Sequence, residues 1–520
     1  MLIGSIPIDR QMDEHRETLH ELRESKTIDI DSFDRRVSEE GKRLKEHLAS
    51  GTFDNDQATI GLEYEFYAVD RSSGALRRVP HRLSQCLGFE RELGLHNLEL
   101  TSSVQPCDGP GLLALEHSMA AKLRSTQALA AEAGIRLVSD GMWTVGPATN
   151  TTEGYLTEAT HDEGISLAIN VSNAVRYHGF GSVDEYTPVA ATVELPGATI
   201  GADTAGPVSL TTSIQPHVQP RQSADLPAYH NAALRIAGPV LALAANSPFL
   251  PPSLYDDDGP TRQLLLQETH AETRIPVYEG LMNPADGDPK VRFPADLESL
   301  EMAVDRVVND AVIVPAQIEG GERFDDQFVH FRHKHGSFWR WVRPVFDGPT
   351  PDAASARIEF RPLPGQPTLP DTVSLVALVV GLVTELVEGD HPAAALPWET
   401  ARTNFYHAAR DGIVANMTWV TAVGDRTTSI DRIYDDLFSV AISGLDRRGL
   451  SATEANTWIE PLRARISTRT TPERWRRDHV EQQLKTGTSP TEAIKCSQQA
   501  YISRQADSLY AGSFADWLDG

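Results

Sequence analysis

Four short segments of this chain share a pattern that favours β-strands with one polar face. They are residues 61–66 (GLEYEF), 97–101 (NLELT), 213–219 (SIQPHVQ) and 357–361 (RIEFR). Alternate side chains of a strand point to the same face, so the polar side chains of each segment fall together and the apolar ones face a core. If the strands share one sheet, its polar face carries Glu63, Glu65, Asn97, Glu99, Gln215, His217, Gln219, Arg357, Glu359 and Arg361. Such a surface is suited to holding divalent cations and polyphosphate.

The first and third segments also have simpler interpretations. Glu63 and Glu65 could form a solvated strand face, although two carboxylates this close repel each other unless a cation lies beside them. His217 could ligate a metal or contact a phosphate, but it could equally be a hydrogen-bonded interior histidine. Pro216 restricts its strand to an edge or a bulge, and such positions often border ligands. Taken alone, neither segment establishes a binding site.

The fourth segment places Arg357, Glu359 and Arg361 on one face, where they could form an ion pair among themselves. Alternatively, Glu359 would bind a cation and Arg361 a phosphoryl group or a substrate carboxylate, since the planar guanidinium binds both through paired hydrogen bonds. Residues 336–344 (GSFWRWVRP) add Arg340 and Arg343, of which at most one need be functional. The His-Lys-His run at 333–335 lacks a third metal ligand nearby and is interpreted as the beginning of a strand.

Composition narrows the environment and the partners. The 520 residues allow two or three domains, or one large catalytic domain with helical additions. The formal net charge is −26, and only eight of the 47 basic residues are lysines, which is typical of a halophilic protein in a high-salt cytoplasm. Because phosphate backbones require a basic surface, nucleic acid is not an expected partner.

The three cysteines, Cys86, Cys107 and Cys496, form no Cys-x-x-Cys pair, so a reducing compartment is expected. The N-terminus has neither the basic start nor the long apolar stretch of a signal peptide. The most apolar run, 373–384, is shorter than the roughly 20 residues that cross a bilayer. We therefore expect a cytoplasmic protein without membrane segments.

The remaining pattern predicts several further elements. Residues 11–50 favour two amphipathic helices, the second capped by Asp31, Ser32 or Asp34. Other predictions are a helix at 110–133, a strand with bends at 208–219, a helix at 227–245 broken near Gly238-Pro239, an apolar helix at 371–387, and a mostly helical region without a strong strand from 393 onwards. The chain has no P-loop and no Rossmann fingerprint, so any nucleotide would be held in another way.

Together the segments resemble the glutamate–cysteine ligase family of carboxylate–amine ligases, whose fold is related to glutamine synthetase. Seven stretches carry the resemblance, in the family's order: 61–66 (GLEYEF), 97–100 (NLEL), 217–220 (HVQP), 243–249 (LAANSPF), 272–276 (ETRIP), 336–344 (GSFWRWVRP) and 357–361 (RIEFR). The resemblance implies an α+β fold, with a curved antiparallel β-sheet funnel and helices packed outside. It implies a catalytic domain at 55–390, between an N-terminal helical segment at 1–54 and a C-terminal helical region at 391–520.

The resemblance also implies roles for single residues. Mg²⁺ or Mn²⁺ ions would hold the ATP phosphates, with Glu63, His217 and Glu359 sharing the ion nearer ATP, and Glu65 and Glu99 holding the ion nearer the amino-acid substrate. Glu359, Arg361 and Arg343 are the implied catalytic residues. The two arginines would neutralise the transferred phosphoryl group. Candidate ATP contacts are Gln215, His217, Gln219 and Arg361. Many members have His-x-His in the third strand, whereas Gln215 holds the first position here, which would alter one metal or nucleotide contact.

The implied reaction is ATP-dependent formation of an amide. A carboxylate, expected to be the side chain of glutamate, would attack the terminal phosphate of ATP, and an amine such as cysteine would attack the acyl phosphate. Two alternatives remain open. One is another phosphotransfer enzyme on the same scaffold, such as a ligase for another amine or a guanidino kinase. The other is a non-catalytic relative that binds a metabolite or a protein through its C-terminal helices. The sequence leaves the oligomeric state open.

Overall fold

The computed structural model describes residues 8–80, 83–85, 88–179, 192–201, 203–283 and 288–518, with side chains from residue 15 onwards. Cys86 and the first residues of the predicted 1–54 segment lie outside these ranges. The strands are β1 (Thr59–Asp70), β2 (Glu90–Arg91), β3 (Asn97–Thr101), β4 (Gln105–Pro106), β5 (Ile135–Val138), β6 (Ala159–Asp162), β7 (Ile165–Ala168), β8 (Thr192–Leu195), β9 (Ala198–Gly201), β10 (Ile214–Gln219), β11 (Val342–Asp347), β12 (Ser355–Phe360), β13 (Trp419–Val420) and β14 (Arg426–Thr427).

Helices occupy both ends of the chain and the intervals between the main strands. They are α1 (Ile8–Ser25), α2 (Ile30–Ala49), α3 (Gly109–Glu132), α4 (Thr152–Thr157), α5 (Val175–His178), α6 (Leu226–Ala244), α7 (Arg274–Met282), α8 (Leu300–Val308), α9 (Val329–His335), α10 (Leu369–Glu388), α11 (Trp398–Asp411), α12 (Ile430–Arg447), α13 (Ala452–Ser467), α14 (Pro472–Lys485) and α15 (Pro490–Ser508). The mixture of helices and strands confirms the predicted α+β class.

The main sheet is antiparallel and curls into a half-barrel, with strand order β11-β12-β10-β1-β3-β2. The short strands β4 and β5 also pair with β1. All four segments that the sequence predicted as strands therefore lie in one sheet. The register places Glu63 opposite Gln215, Glu65 opposite Glu99, and Glu359 opposite both His217 and Arg343.

The apolar side chains of these strands form the buried face that the alternating pattern predicted. The members are Leu62, Tyr64, Phe66, Leu98, Leu100, Ile214, Val218, Ile358 and Phe360, each at most 3% exposed. The apolar helices α6 and α10 contact this side of the sheet. By length and hydropathy α10 could cross a membrane, but 83% of its apolar stretch is buried inside the protein, as expected for a core helix.

The predicted break at Gly238-Pro239 is wrong, because α6 continues through Pro239. A proline in a helix removes one backbone hydrogen bond, but α6 is almost entirely buried and packs along α11. Gly238 allows that packing: a Cβ atom there would lie 2.7 Å from the backbone carbon of Asn404. Tertiary packing therefore outweighs the local preference.

Three further local predictions need correction. Residues 333–335 end the helix α9 instead of beginning a strand, and His335 stacks on Phe331 one turn earlier. The cap of α2 is Asp29, whose side chain accepts from the Ser32 backbone, so none of the three suggested residues is the cap. The strand predicted at 208–219 is shorter, because Gly206–Leu210 forms a 3₁₀ helix that has Pro207 in its first turn.

The C-terminal helices pack on the rest of the chain. The apolar helix α10 packs on α12, and α6 packs on α11. A single cluster of buried apolar side chains extends from Leu22 to Ile494. The domain boundaries after residues 54 and 390 remain a prediction.

Candidate functional site

One face of the sheet carries all the candidate residues, because the register of five strands aligns them. Glu63 and Glu65 lie on the central strand β1, with Glu99 on one side and Gln215 and His217 on the other. The next strands add the remaining groups in register, namely Arg357 and Glu359 on β12, Arg343 on β11, and Arg361 one residue beyond the end of β12. Residues that are up to 300 positions apart in the sequence therefore meet on one surface.

The first cluster consists of Glu63, His217 and Glu359. Each of them offers one ligand atom, and these atoms all lie within 4.8 Å of one another. His217 Nε2 lies 3.2 Å from Glu63 Oε1 and has no hydrogen-bond partner of good geometry among the described residues. A buried, unpaired nitrogen beside two carboxylates fits a site for a divalent cation.

Two arginines keep Glu359 ionised. Burial opposes the charge, but Arg343 and Arg361, followed by His217, hold the pKa of Glu359 well below its usual range. Arg343 Nε lies 3.1 Å from both carboxylate oxygens, and Arg361 donates to Oε1. The ion pair considered for residues 357–361 thus forms between Glu359 and Arg361, whereas Arg357 pairs elsewhere. Both Arg343 and Arg361 reach the face beside the first cluster.

Arg357 contacts His217 and Asp347. Its Nε donates to His217 Nδ1 at 2.9 Å, and its terminal nitrogens lie 2.7 and 2.9 Å from the two oxygens of Asp347. Because a guanidinium only donates, His217 Nδ1 accepts here, and the proton of a neutral ring is then on Nε2. For Nε2 to bind a cation, the ring proton would have to be on Nδ1 instead. The hydrogen bond from Arg357 Nε to Nδ1 would then have to break.

The second cluster consists of Glu65, Glu92 and Glu99, whose ligand atoms again lie within 4.8 Å of one another. Burial, followed by the charge of Glu92, raises the pKa of Glu65 to about 7 despite hydrogen bonds from Ser213. Burial, followed by the charge of Glu63, raises the pKa of Glu99 well above its usual value. Three carboxylates this close favour either protons or a hard cation, and an all-oxygen set of this kind suits Mg²⁺.

Glu92 was missed by the sequence analysis. It follows the two-residue strand β2, which pairs with β3 so that Glu90 lies opposite Glu99. The Tyr177 hydroxyl donates to Glu92 at 3.0 Å. The available signal was a second Glu-x-Glu at 90 and 92, followed by Gly94 and a return strand at 97–101. Two residues of strand are too few for an alternating pattern to be recognised.

The two glutamines of β10 have different surroundings. Gln215 Nε2 donates to Glu65 at 2.8 Å, and its Oε1 accepts from Arg361 at 2.8 Å. Gln219 lies beyond His217, towards the start of β1, where its Oε1 accepts from Thr59 and Ser355. Gln219 Nε2 has no hydrogen-bond partner in the described part of the chain. Gln215 thus joins the two clusters, and Gln219 lies beside the first.

A cavity lies beside the second cluster. Glu65, Glu92, Asn97 and Arg361 reach it from the sheet, and Arg274 and Tyr278 reach it from α7. Tyr177, Trp339 and Trp341 add aromatic surface, and Thr211, Thr212 and Ser213 add small polar groups. A cavity with an acidic cluster, several arginines and aromatic walls can receive a small molecule that carries both charged and apolar groups.

Comparison with known proteins identifies the family. The model of glutamate–cysteine ligase family 2 matches residues 59–495. Among solved structures, a glutamate–cysteine ligase from Francisella tularensis in complex with AMP is 10% identical, with a TM-score of 0.47 and coverage of 87% of this chain and 90% of that one. A bifunctional glutathione synthetase from Pasteurella multocida is 12% identical, with a TM-score of 0.45 and coverage of 91% and 54%. No curated protein sequence matches the chain. Since the family model matches most of the chain, the resemblance seen in the sequence is confirmed, and the protein belongs to glutamate–cysteine ligase family 2.

Proposed function

We propose that the protein is an ATP-dependent carboxylate–amine ligase of the glutamate–cysteine ligase type. One observation carries the proposal: two clusters, Glu63/His217/Glu359 and Glu65/Glu92/Glu99, lie on one face of the sheet, with three arginines beside them. Family membership supports the reaction class. By the same resemblance, the curled sheet is proposed to belong to a fold related to that of glutamine synthetase.

The residues of both clusters fit Mg²⁺ or Mn²⁺ as resident cations and ATP as a substrate. When bound, such cations neutralise phosphate charge and orient the phosphate groups. The first cluster would hold the cation nearer the ATP phosphates, and the second would hold the one nearer the amino acid. Gln215, His217, Gln219 and Arg361 are the proposed ATP-side contacts, with Gln215 acting through Glu65 and Arg361.

Arg343 and Arg361 are the proposed groups that stabilise the phosphoryl group during transfer. Both lie against the Glu359 carboxylate, which raises the pKa of Arg361 above its usual value despite burial. A substrate carboxylate attacks the terminal phosphate, giving an acyl phosphate and ADP. The amine then attacks the carbonyl carbon and phosphate leaves, so no protein nucleophile is needed. Positioning and charge stabilisation provide the catalysis.

We further propose glutamate as the carboxylate donor and cysteine as the amine, and the cytoplasm as the compartment. The family supports the substrates. Cys107 and Cys496 are free thiols in the structure, which suits a reducing compartment. No nucleic-acid partner is proposed, because the net charge is −26.

The test is ADP release by the purified protein with ATP, Mg²⁺ and a high KCl concentration, across a panel of amino-acid pairs. The expected result is ADP release that requires both glutamate and an amine, with a product mass equal to the two amino acids less one water. ADP formed without an amide would favour another phosphotransfer reaction. Unchanged Mg-ATP binding by Glu63→Gln, with no ADP from the wild type, would favour a non-catalytic protein.

A further inference from the structure

A tryptophan in the wall of the candidate cavity is linked by hydrogen bonds to a helix of the C-terminal region. Trp341 directly precedes β11, and its carbonyl accepts from the Arg361 backbone at 2.9 Å, so the two residues lie side by side at the cavity. Its indole nitrogen donates to Glu279 Oε1 at 2.7 Å. The Tyr406 hydroxyl donates to the same oxygen at 2.9 Å. One carboxylate therefore links α11, α7 and the cavity wall.

Three further contacts of the Trp341 side chain involve its ring. The Arg274 guanidinium lies 5.4 Å from the centroid of the indole ring, the Tyr278 ring lies 5.8 Å away and the Phe405 ring 5.9 Å away. Arg274 and Tyr278 also line the cavity. Ring contacts limit the space around the indole, but aromatic pairs accept both offset-stacked and edge-to-face arrangements. The hydrogen bond to Glu279 is the directional contact that sets how the ring is turned.

The ionised form of the Glu279 carboxyl group is stabilised by its two hydrogen-bond donors. It is largely buried, and its burial raises the pKa of the carboxyl group, while the hydrogen bonds from Trp341 and then Tyr406 oppose that rise. Hydrogen bonds to an ionised acceptor are stronger than neutral ones, and a buried acceptor that loses its donors is costly. The three side chains should therefore hold one arrangement together.

We propose that Tyr406 and Glu279 are positioning residues that fix the orientation of Trp341 and so shape the cavity for the amino-acid substrate. This gives part of the C-terminal region, in which the sequence shows no obvious chemistry, a direct effect on substrate fit. The inference rests on the proposed function in one respect, namely that the cavity receives an amino acid.

The kinetic test compares four variants by steady-state ADP release. Glu279→Leu should raise the KM for the amino-acid substrate about tenfold, and Tyr406→Phe should raise it less, with the KM for ATP unchanged. Glu279→Gln keeps a carbonyl oxygen for both donors and should restore the KM to near the wild-type value. Glu399→Gln removes a carboxylate from the exposed first turn of α11 and is the matched control, with no change expected. An unchanged amino-acid KM in both Glu279→Leu and Tyr406→Phe, or an equal rise for ATP, overturns the proposal.

A second measurement separates this inference from the ligase reaction. In protein labelled with ¹⁵N-tryptophan, Trp341→Phe identifies the Trp341 indole signal. Hydrogen exchange of that indole N–H should be faster in Glu279→Leu and Tyr406→Phe than in the wild type, and near wild type in Glu279→Gln. If the wild type releases no ADP, the proposed function fails while the exchange rates still decide the positioning role. Equal exchange rates in all variants overturn it.

Discussion

Gln215 donates its side-chain amide to Glu65 at 2.8 Å, from the strand position directly beside the central strand. The same amide group accepts from Arg361 through its oxygen. A neutral histidine at this position would carry its one donor and its one acceptor on different sides of a ring, so it could not make both contacts in the same way. In this protein a neutral amide therefore connects the acidic second cluster to the arginine beside the first.

Replacing Gln215 with leucine should weaken Mg²⁺ binding by about tenfold, since removing a hydrogen bond to a metal-binding side chain typically has an effect of this size. Glu65 loses a donor that favours its ionised form, so its affinity for a proton rises at the expense of the cation. The measurement is calorimetric titration with Mg²⁺. Gln215→His keeps one donor and should retain most of the affinity. If both variants bind Mg²⁺ like the wild type, Gln215 has no part in holding the cluster.

Glu92→Gln should also weaken cation binding, because it removes one of three carboxylates in the second cluster. The affinity for the more weakly bound Mn²⁺ ion should fall about tenfold or more. Electron paramagnetic resonance measures Mn²⁺ binding. Glu90→Gln is the matched control: Glu90 is exposed, lies two residues away, and is not part of the cluster. Equal losses in the two variants would mean that general charge, and not ligation by Glu92, determines the affinity.

The raised pKa of Glu65 predicts how stability depends on pH when no cation is bound. The folded protein holds a proton on Glu65 up to about pH 7, whereas the ordinary value is 4.5. Its contribution to stability is therefore fully present below pH 4.5 and is lost as the pH rises through about 7. Mg²⁺ should reverse the loss, because the cation then stabilises the ionised carboxylates.

Thermal unfolding in EDTA between pH 5 and 8 tests this, with Glu65→Gln as the reference. As the pH rises, the melting temperature of the wild type should fall relative to that of the variant. Mg²⁺ should cancel this trend. A difference that is independent of pH would contradict the raised pKa.

The candidate site could be predicted from the sequence where strands are long enough to show alternation. Glu63, Glu65, His217 and Glu359 all lie where the period of two placed them, since the buried Leu62, Tyr64, Val218 and Ile358 fix which face is which. Glu92 could not be predicted in this way, because β2 is two residues long. The partner of Arg357 was also missed, since Asp347 reaches it only through the β11–β12 register.

The helical predictions failed where tertiary contacts outweigh local preference. Pro239 remains in a helix because the buried packing against α11 maintains it. The run at 333–335 is helical, and its Lys334 is buried and paired with Asp34 from α2, a contact that spans 300 residues. No local pattern contains such information.

Salt should stabilise the protein. There are 73 acidic and 47 basic residues, and repulsion among exposed carboxylates opposes the folded state. The screening length falls from about 10 Å at 0.1 M to about 3 Å at 1 M salt, so the melting temperature should rise by several degrees between these KCl concentrations. A melting temperature that stays constant or falls would contradict the halophilic interpretation of the composition.

A buried ion pair joins α14 to the segment that follows β5. Arg476 and Asp140 are both at most 1% exposed, and their side chains lie 2.5 Å apart. The Asp140 carbonyl accepts from Thr212, which lines the cavity. Arg476→Met would leave the Asp140 carboxylate buried with only Gln498 and a backbone amide as donors, so the free energy of unfolding should fall by about 3–5 kcal/mol. Arg474→Met, at an exposed position of the same helix, should change it by less than about 0.5 kcal/mol. Urea unfolding measures both, and similar losses in the two variants would show that the pair does not stabilise the fold.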